Sequence, residues 1–326
     1  MSIQRTASGS RLAAIDQFRG FAIFLMVLAD FLGDVEQAPA WLKHAPDVGY
    51  TLIDLIAPMF IFAIGITFGI SFRRRLARDG AWRAYEHFIT RNLALIGLGA
   101  LLTMGGNLTG IYETTVPWGL LQAIGAAGLL TLPVIRLRAG WRWAIGLALL
   151  AFYQFMLDRA WLDQVSTAVH NGPWGALCWG ASLIMATALA DLFFDEARGR
   201  RAYPWVVLLV TAAGLALAFL IPVSKNRASA SYILLSLGLS ALVFYGFHLL
   251  TTRLGFRSQV LSDWGMNPMI LYLLHGVLIG VFLLPPAPGL YVEAPLWLAA
   301  LEAAATLGVL SLIARYLRIR GWFFTL

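Results

Sequence analysis

The sequence predicts an all-α, polytopic membrane protein with about ten transmembrane helices, and three observations support this. First, 60% of the 326 residues are apolar and only 13% are charged, with a mean hydropathy of +0.75, whereas about 25% of the residues in soluble domains are charged. Second, apolar runs long enough to cross a hydrocarbon core of about 30 Å recur along the chain. Third, the basic residues concentrate in alternate loops between these runs.

The apolar runs define the predicted membrane spans. They cover residues 15–32, 51–72, 88–104, 117–135, 141–157, 173–194, 204–222, 231–251, 264–284 and 295–315. The first run is not followed by a small-residue cleavage region, so we interpret it as a retained helix and not as a signal peptide. The loops are too short to form a second domain, and residues 1–326 are therefore predicted to be a single transmembrane domain.

The basic residues orient these predicted spans. If the N-terminus is inside, nineteen of the 24 Lys and Arg residues lie in inner segments. Because cytoplasmic loops carry an excess of Lys and Arg, both termini are predicted to be cytoplasmic. The outer loops hold only Lys43, Arg159, Lys225 and Arg227. The pI near 9.8 would also suit a nucleic-acid-binding protein, but topology explains the arginines, and no nucleic-acid partner is predicted.

Ionisable residues inside predicted spans are site candidates, because charge is costly in a bilayer and usually faces the interior of a bundle. Asp16 and Arg19 lie three positions apart at the inner end of the first span, on one helix face where they can pair. A structural ion pair and a ligand contact explain these two residues equally well. Asp30 closes the same span at its outer end. Asp54 starts the second span, where an acidic residue also suits a helix N-terminus.

His44 lies in the short outer loop between Asp30 and Asp54. A carboxylate can fix the tautomer of an imidazole and stabilise its protonated form, as a general base requires. We therefore predict that His44 is catalytic, with Asp54 as its partner and Asp30 near the substrate. The same residue types could also bind a cation or relay protons in a transporter.

A second polar cluster lies in the ninth predicted span. Asn267 precedes Pro268, a pattern typical of a helix start, which accounts for Asn267 without any function. His275 lies eight residues later, about two turns on and on a similar face. Structural and functional interpretations of His275 are both open. The single cysteine, Cys178, excludes an internal disulfide and a Cys-rich metal site, and no metal is predicted.

Several blocks of the chain resemble, in order, the heparan-α-glucosaminide N-acetyltransferase family. Residues 11–20 (RLAAIDQFRG) are similar to its opening "R-x-x-S-x-D-x-F-R-G", and residues 41–45 (WLKHA) with 49–65 (GYTLIDLIAPMFIFAIG) are similar to its "H-A-x-W-N-G-x-T-x-x-D-L-V-F-P" block. Further similar segments are 106–108 (GNL), 118–124 (WGLLQAI), 230–232 (ASY) and 265–275 (GMNPMILYLLH). The blocks span nearly the whole chain.

The resemblance implies an acyltransferase that passes an acetyl group from cytoplasmic acetyl-CoA to the amine of a glucosamine-like acceptor across the membrane. It aligns the family's catalytic histidine with His44 and a carboxylate with Asp54. Two departures lie beside the implied acceptor site. Asp30 stands where the family has asparagine, and residues 46–49 (PDVG) stand where the family has "x-W-N-G". These departures leave the acceptor open, and N- and O-acetylation are both compatible with the residues.

The resemblance also suggests roles for the other candidates. The inner arginines Arg73, Arg74 and Arg75 would bind the phosphates of acetyl-CoA together with Arg19, because cationic side chains suit phosphate. Asn267 and His275 would polarise the thioester carbonyl. The partners implied are CoA, a sugar acceptor and the lipid bilayer, and a homodimer is compatible with the family. A bacterial inner membrane is the expected location.

The alternative function is a transporter or flippase for a sugar or a lipid-linked sugar. Asp16, Arg19, Asp30 and His275 would then line a substrate or proton pathway. Many transporters contain repeated halves with paired broken helices, but the block that contains His44 and Asp54 has no second copy. A sugar transporter would not be expected to bind CoA, which distinguishes the two classes.

Overall fold

A computed structural model of the protein describes residues 2–33, 35–108, 117–195, 199–283 and 291–323. Within these ranges the chain forms helices and loops and contains no β-strand, which confirms the all-α prediction. Arg198, one of the inner arginines, lies outside the described residues. The helices are α1 (Ser2–Gly33), α2 (Ile56–Asp79), α3 (Ala81–Leu108), α4 (Leu120–Thr131), α5 (Ala139–Met156), α6 (Leu162–Ser166), α7 (Gly172–Phe194), α8 (Gly199–Leu217), α9 (Ala230–Arg253), α10 (Gln259–Met266), α11 (Pro268–Leu283) and α12 (Leu296–Ile319).

Six helical segments of the described chain are long and apolar enough to cross a membrane. They are Ile53–Asp79, Ala81–Leu108, Ala139–Ser166, Val169–Phe194, Ala230–Arg253 and Leu296–Ile319. A seventh candidate is α10 with α11, bent by 91° between them, and Leu120–Thr131 and Arg201–Leu217 are shorter apolar helices. The protein is thus an integral membrane protein. The count of ten spans and the orientation of the termini stay predictions.

The bend between α10 and α11 follows from the sequence at that point. Proline lacks a backbone N–H and fits the first position of a helix, where that group has no intrahelical partner. Helix α11 begins at Pro268, with Asn267 between the two helices. The structure therefore confirms the helix start predicted at Pro268, but it places a short separate helix, α10, in front of it.

The chain divides into two compact units. Unit 1 contains residues 1–44, 51–60 and 243–325, and unit 2 contains residues 45–50 and 61–242. The prediction of a single domain over the whole chain stays a prediction.

In unit 1, α1 packs against α10 at a close crossing. Glycines at the crossing allow the two backbones to meet: a Cβ on Gly20 would lie 1.8 Å from the carbonyl oxygen of Leu261, and one on Gly265 would lie 1.9 Å from that of Asp16. Farther along α1, a buried apolar cluster joins its C-terminal end to the following loop and to α12. The cluster contains Phe31, Leu32, Val35, Ala38, Tyr291, Ala294, Ala299 and Ala303, with Leu42 packed against it. This cluster holds the segment that leads to His44.

In unit 2, α7 is the central helix. Every residue from Cys178 to Ala190 is buried, as expected for a helix that is apolar on all sides. Helix α7 packs against α4, α5 and α8. A second cluster joins α2, α3 and the end of α4 through Phe68, Phe72, Ala84, Phe88, Leu132 and Ile135.

We expect Gly20→Ala to lower the apparent melting temperature of the purified protein in detergent. The added methyl would overlap backbone atoms of α10, and such overpacking costs about 1–3 kcal/mol. Gly276→Ala in α11 is the matched control, because a Cβ there meets nothing within 4 Å. Equal melting temperatures for the two variants would contradict the close crossing.

Candidate active site

The centre of the candidate site is a hydrogen-bonded pair in unit 1, His44 and Asp54. The Nδ1 atom of His44 lies 2.8 Å from Oδ1 of Asp54. The two side chains differ in exposure, since that of His44 is 46% exposed and that of Asp54 is fully buried. The pair therefore combines a buried carboxylate with a half-exposed imidazole.

Thr51 holds the other oxygen of the Asp54 carboxylate. The backbone N–H of Thr51 donates to Oδ2 of Asp54 at 2.9 Å, and the Thr51 hydroxyl donates to the same atom at 3.0 Å. Asp54 lies in the short 3₁₀ helix Ile53–Leu55 that precedes α2. A Thr-x-x-acid spacing at a helix start is the sequence pattern of a capping box, in which the acidic side chain bonds back to the first residue's N–H. This local contact fixes the carboxylate before any tertiary contact is considered.

The geometry determines which nitrogen of His44 can act as a base. An ionised carboxylate only accepts hydrogen bonds, so Nδ1 of His44 must carry the proton that it shares with Asp54. The lone pair of the neutral ring then lies on Nε2. An imidazole oriented in this way by a carboxylate can accept a proton or attack a carbonyl carbon, and its cationic form is stabilised by the carboxylate.

A second histidine–carboxylate pair in unit 1 joins Asp30 and His275. The Nε2 atom of His275 lies 3.0 Å from Oδ2 of Asp30, while Nδ1 contacts the backbone carbonyl of Tyr272. Both ring nitrogens of this buried histidine thus face oxygen acceptors. His275 is arranged to donate hydrogen bonds or to carry charge, unlike His44, and the polar partner expected for it is Asp30.

The remaining candidates of unit 1 lie near the middle of α1 and at the α10–α11 bend. Asp16 and Arg19 face each other at 3.8 Å, and Arg19 also donates to the carbonyl of Gly265 at 3.0 Å. The Asn267 side-chain amide donates to the carbonyl of Trp322 at 3.1 Å. These contacts give Arg19 and Asn267 structural partners, and their predicted roles in substrate binding stay predictions.

The three inner arginines of α2, in unit 2, have different surroundings. Arg73 pairs with Asp191 at 2.9 Å, and Arg75 pairs with Asp79 at 3.4 Å. Arg74 is exposed. Asp191 also pairs with Arg142, which is only 1% exposed and donates to the Thr187 hydroxyl at 2.8 Å. One carboxylate therefore serves two guanidinium groups from different helices.

Sequence reasoning missed several of these partners. Thr51 could have been found from the Thr-x-x-Asp spacing before an apolar run. Arg142 is one of the nineteen basic residues that the sequence places in inner segments, and its pairing with Asp191 could not be predicted, because no local spacing connects α5 with α7. Among the described residues, no group of three or more His, Cys, Asp or Glu side chains is placed to hold a metal ion.

We expect Asp191→Asn to destabilise the protein strongly. The substitution would leave the buried Arg142 guanidinium without its counter-charge, and breaking a buried pair in this way costs about 3–5 kcal/mol. Asp79→Asn, which breaks the pairs of Asp79 with Arg78 and Arg75 near the end of α2, should change the melting temperature much less, because water screens charges at the surface. Thermal denaturation of both variants in detergent tests this difference, and similar losses would show that the Asp191 network does not support the fold.

Comparison with known proteins shows which family the chain resembles. The family described as "Heparan-alpha-glucosaminide N-acetyltransferase, catalytic" matches residues 11–250. The chain is 29% identical over 126 residues to the Mus musculus heparan-alpha-glucosaminide N-acetyltransferase, covering 37% of this chain and 18% of that enzyme. It is 31% identical over 120 residues to the Homo sapiens enzyme, covering 35% of this chain and 17% of that protein.

These alignments span less than a fifth of the mammalian enzymes, but the family match extends over more than half of this chain and includes both His44 and Asp54. By that match, the chain belongs to the heparan-alpha-glucosaminide N-acetyltransferase catalytic family.

Proposed function

We propose that the protein transfers an acetyl group from cytoplasmic acetyl-CoA to an amino sugar, or to a related sugar acceptor, on the opposite side of the membrane. The observation that supports this function most directly is the pair of His44 with the buried Asp54, in which Nε2 of His44 is the basic atom. Membership in an N-acetyltransferase family favours acyl transfer over transport of a sugar. We place the protein in a bacterial inner membrane.

In the direct route, His44 acts as a general base. The acceptor amine attacks the thioester carbonyl carbon, and Nε2 of His44 takes the proton that the amine loses. The C–S bond then breaks, and the protonated His44 returns the proton to the CoA thiolate. Asp54 stabilises the transient imidazolium without taking its proton, because the carboxylate is already held by Thr51.

In the alternative route, Nε2 of His44 attacks the thioester first. The C–S bond breaks, CoA leaves as the thiolate, and the acetyl group resides on Nε2. In a second step the acceptor amine attacks the acetyl carbon, the C–Nε2 bond breaks, and the freed Nε2 takes the proton that the amine loses. Both routes use the same atom of His44 and the same orientation by Asp54. Radiolabel that stays on the protein after incubation with labelled acetyl-CoA alone would identify the second route.

The donor is proposed to approach from the inner, arginine-rich side. Arg74 and the exposed part of Arg73 are the groups of α2 that suit the phosphates of CoA, because Arg75 is engaged by Asp79. For His275 to polarise the thioester carbonyl, one of its ring N–H groups would have to turn from Asp30 or from the Tyr272 carbonyl to the thioester oxygen. Asp16, Arg19 and Asn267 would support this path through their contacts with the α10–α11 bend.

We expect His44→Ala to abolish acetyl transfer while the protein still folds and binds CoA, because both routes need Nε2. Purified wild type and variant, incubated with radiolabelled acetyl-CoA and glucosamine, would be compared by CoA release and by label transfer. His87→Ala, in α3, is the matched control and should keep wild-type activity. Transfer by His44→Ala at the wild-type rate would overturn the proposed function.

We expect Asp54→Asn to lower kcat by about 100- to 10,000-fold with little change in CoA binding. An amide at this position can donate to Nδ1 of His44, which moves the ring proton to Nε2 and removes the base. Asp158→Asn, which changes a carboxylate bound to Gln154, serves as the control. A kcat for Asp54→Asn within a few-fold of wild type would exclude Asp54 as the group that orients His44.

A further inference from the structure

Residues 45–50, which follow His44 in the chain, belong to unit 2 and are bound to a second loop of that unit, residues 222–229. Arg227 donates from Nε to Oδ1 of Asp47 at 3.0 Å and also binds the second carboxylate oxygen through Nη2. The Ser224 hydroxyl donates to Asp47 Oδ1 at 3.1 Å. We call Asp47, Ser224 and Arg227 the clamp. Because residues 46–49 stand where the family has "x-W-N-G", the clamp lies where this chain departs from the family pattern.

Backbone contacts reinforce the clamp from both loops. The Asn226 side chain donates to the carbonyl of Pro46 at 2.6 Å, and the N–H of Gly49 donates to the carbonyl of Val223 at 2.9 Å. The clamp joins residues 180 positions apart in sequence. Local propensity alone would therefore not bring these residues together.

The loop that carries Arg227 contains left-handed backbone, since Ala228 has a φ of 45°. The segment before α7 that contacts this loop is also left-handed, with φ values of 48° at His170 and 65° at Asn171. Left-handed backbone at non-glycine residues costs about 1–3 kcal/mol each and persists where surrounding contacts determine it. The Asn171 amide bonds to the carbonyls of Lys225 and Asn226, and the Tyr153 hydroxyl donates to that of Arg227. Arg227 is thus presented by a pre-organised loop.

The clamp retains hydrogen-bonding capacity on its solvent side. The Asp47 side chain is 45% exposed and that of Arg227 is 33% exposed. Their contacts with the described residues use Nε and Nη2 of Arg227, and a guanidinium has further N–H groups in the same plane. A carboxylate beside a guanidinium offers an acceptor next to donors, which matches neighbouring hydroxyl groups on a sugar ring.

The charge of the clamp limits the ligand class. The hydrogen bond from Arg227 holds the pKa of the Asp47 carboxyl below its ordinary value, so the pair is ionised and neutral overall near pH 7. A neutral pair suits an uncharged hydroxyl face. An anionic sugar would have to compete with Asp47 for the guanidinium, at the cost of a charged hydrogen bond.

We propose that the clamp binds the ring hydroxyls of the sugar acceptor and selects sugars without anionic substituents. This inference rests on the proposed function for the identity of the acceptor. The chain supplies a limit on distance: Asp47 is three residues after His44, and three residues of extended chain span at most about 11 Å. The Cα atoms of His44 and Asp47 are therefore no more than about 11 Å apart.

Equilibrium binding of glucosamine to the protein in nanodiscs tests the proposal without depending on turnover. We expect Arg227→Gln to weaken glucosamine binding by about 10- to 100-fold, the range for a lost hydrogen bond to a charged group. Arg227→Lys keeps the charge but loses the planar fork, and should weaken binding by a smaller factor. Arg78→Gln is the matched control, because Arg78 binds Asp79 through the same two nitrogens.

Asp47→Asn should invert the preference between sugars. It frees the Arg227 charge, so binding of glucosamine 6-sulfate should strengthen while that of glucosamine weakens. Where transfer is measured, Arg227→Gln should raise the KM for glucosamine and leave kcat and the KM for butylamine, an amine without hydroxyls, near wild type. Thermal denaturation of each variant identifies loss of folding.

The binding and transfer results distinguish failure of the clamp proposal from failure of the acyltransferase function. Unchanged glucosamine binding in both Arg227 variants, or no glucosamine binding by wild type, would overturn the proposal. If Arg227→Gln raises the KM for glucosamine and the KM for butylamine by the same factor, the clamp has a purely structural role and the proposal fails. If glucosamine binding depends on Arg227 but wild type transfers no acetyl group, the clamp stands as a sugar site and the acyltransferase function fails.

Discussion

The buried carboxylate of Asp54 is the constraint on which both the candidate site and its surroundings depend. A carboxylate removed from water must have its oxygens satisfied, because an unpaired buried charge costs several kcal/mol. Here one oxygen faces His44 and the other accepts two hydrogen bonds from Thr51. The same requirement starts a helix, orients an imidazole and ties the loop after α1 to the beginning of α2. The proposed chemistry therefore uses the same hydrogen bonds of Asp54 that stabilise the fold at this point.

Pairing of charge governs the rest of the bundle as well. Asp16 lies beside Arg19, Asp30 beside His275, and Asp191 between Arg73 and Arg142. These pairs differ in how much of the side chain remains exposed to solvent. Arg142 is enclosed and engaged, so its pair supports the fold, whereas the side chain of His44 is nearly half exposed. Exposure, more than the presence of a charge pair, distinguishes the candidate catalytic group from the structural ones.

Much of the fold could be predicted from the sequence because the signals are local. Apolar runs of membrane-crossing length and the low share of charged residues establish an all-α membrane protein. Proline at position 268 predicts where α11 begins, and the structure confirms this start. The ordered blocks that resemble the N-acetyltransferase family agree with the family match over residues 11–250. The 91° bend between α10 and α11 was not predicted, because a proline start does not specify the direction of the preceding helix.

By itself, the sequence determined the class of protein, the family, and the proposal that His44 and Asp54 work together, since hydropathy, motif order and a ten-residue separation are properties of the chain. Only the tertiary structure decided which carboxylate binds which cation. It showed that Arg73 of the inner arginine run is bound to Asp191, that His275 faces Asp30, and that Asp47 meets Arg227 from 180 residues away. The physical reason is that the energy of an ion pair depends on distance and burial. Both are set by how helices and loops remote in sequence pack together.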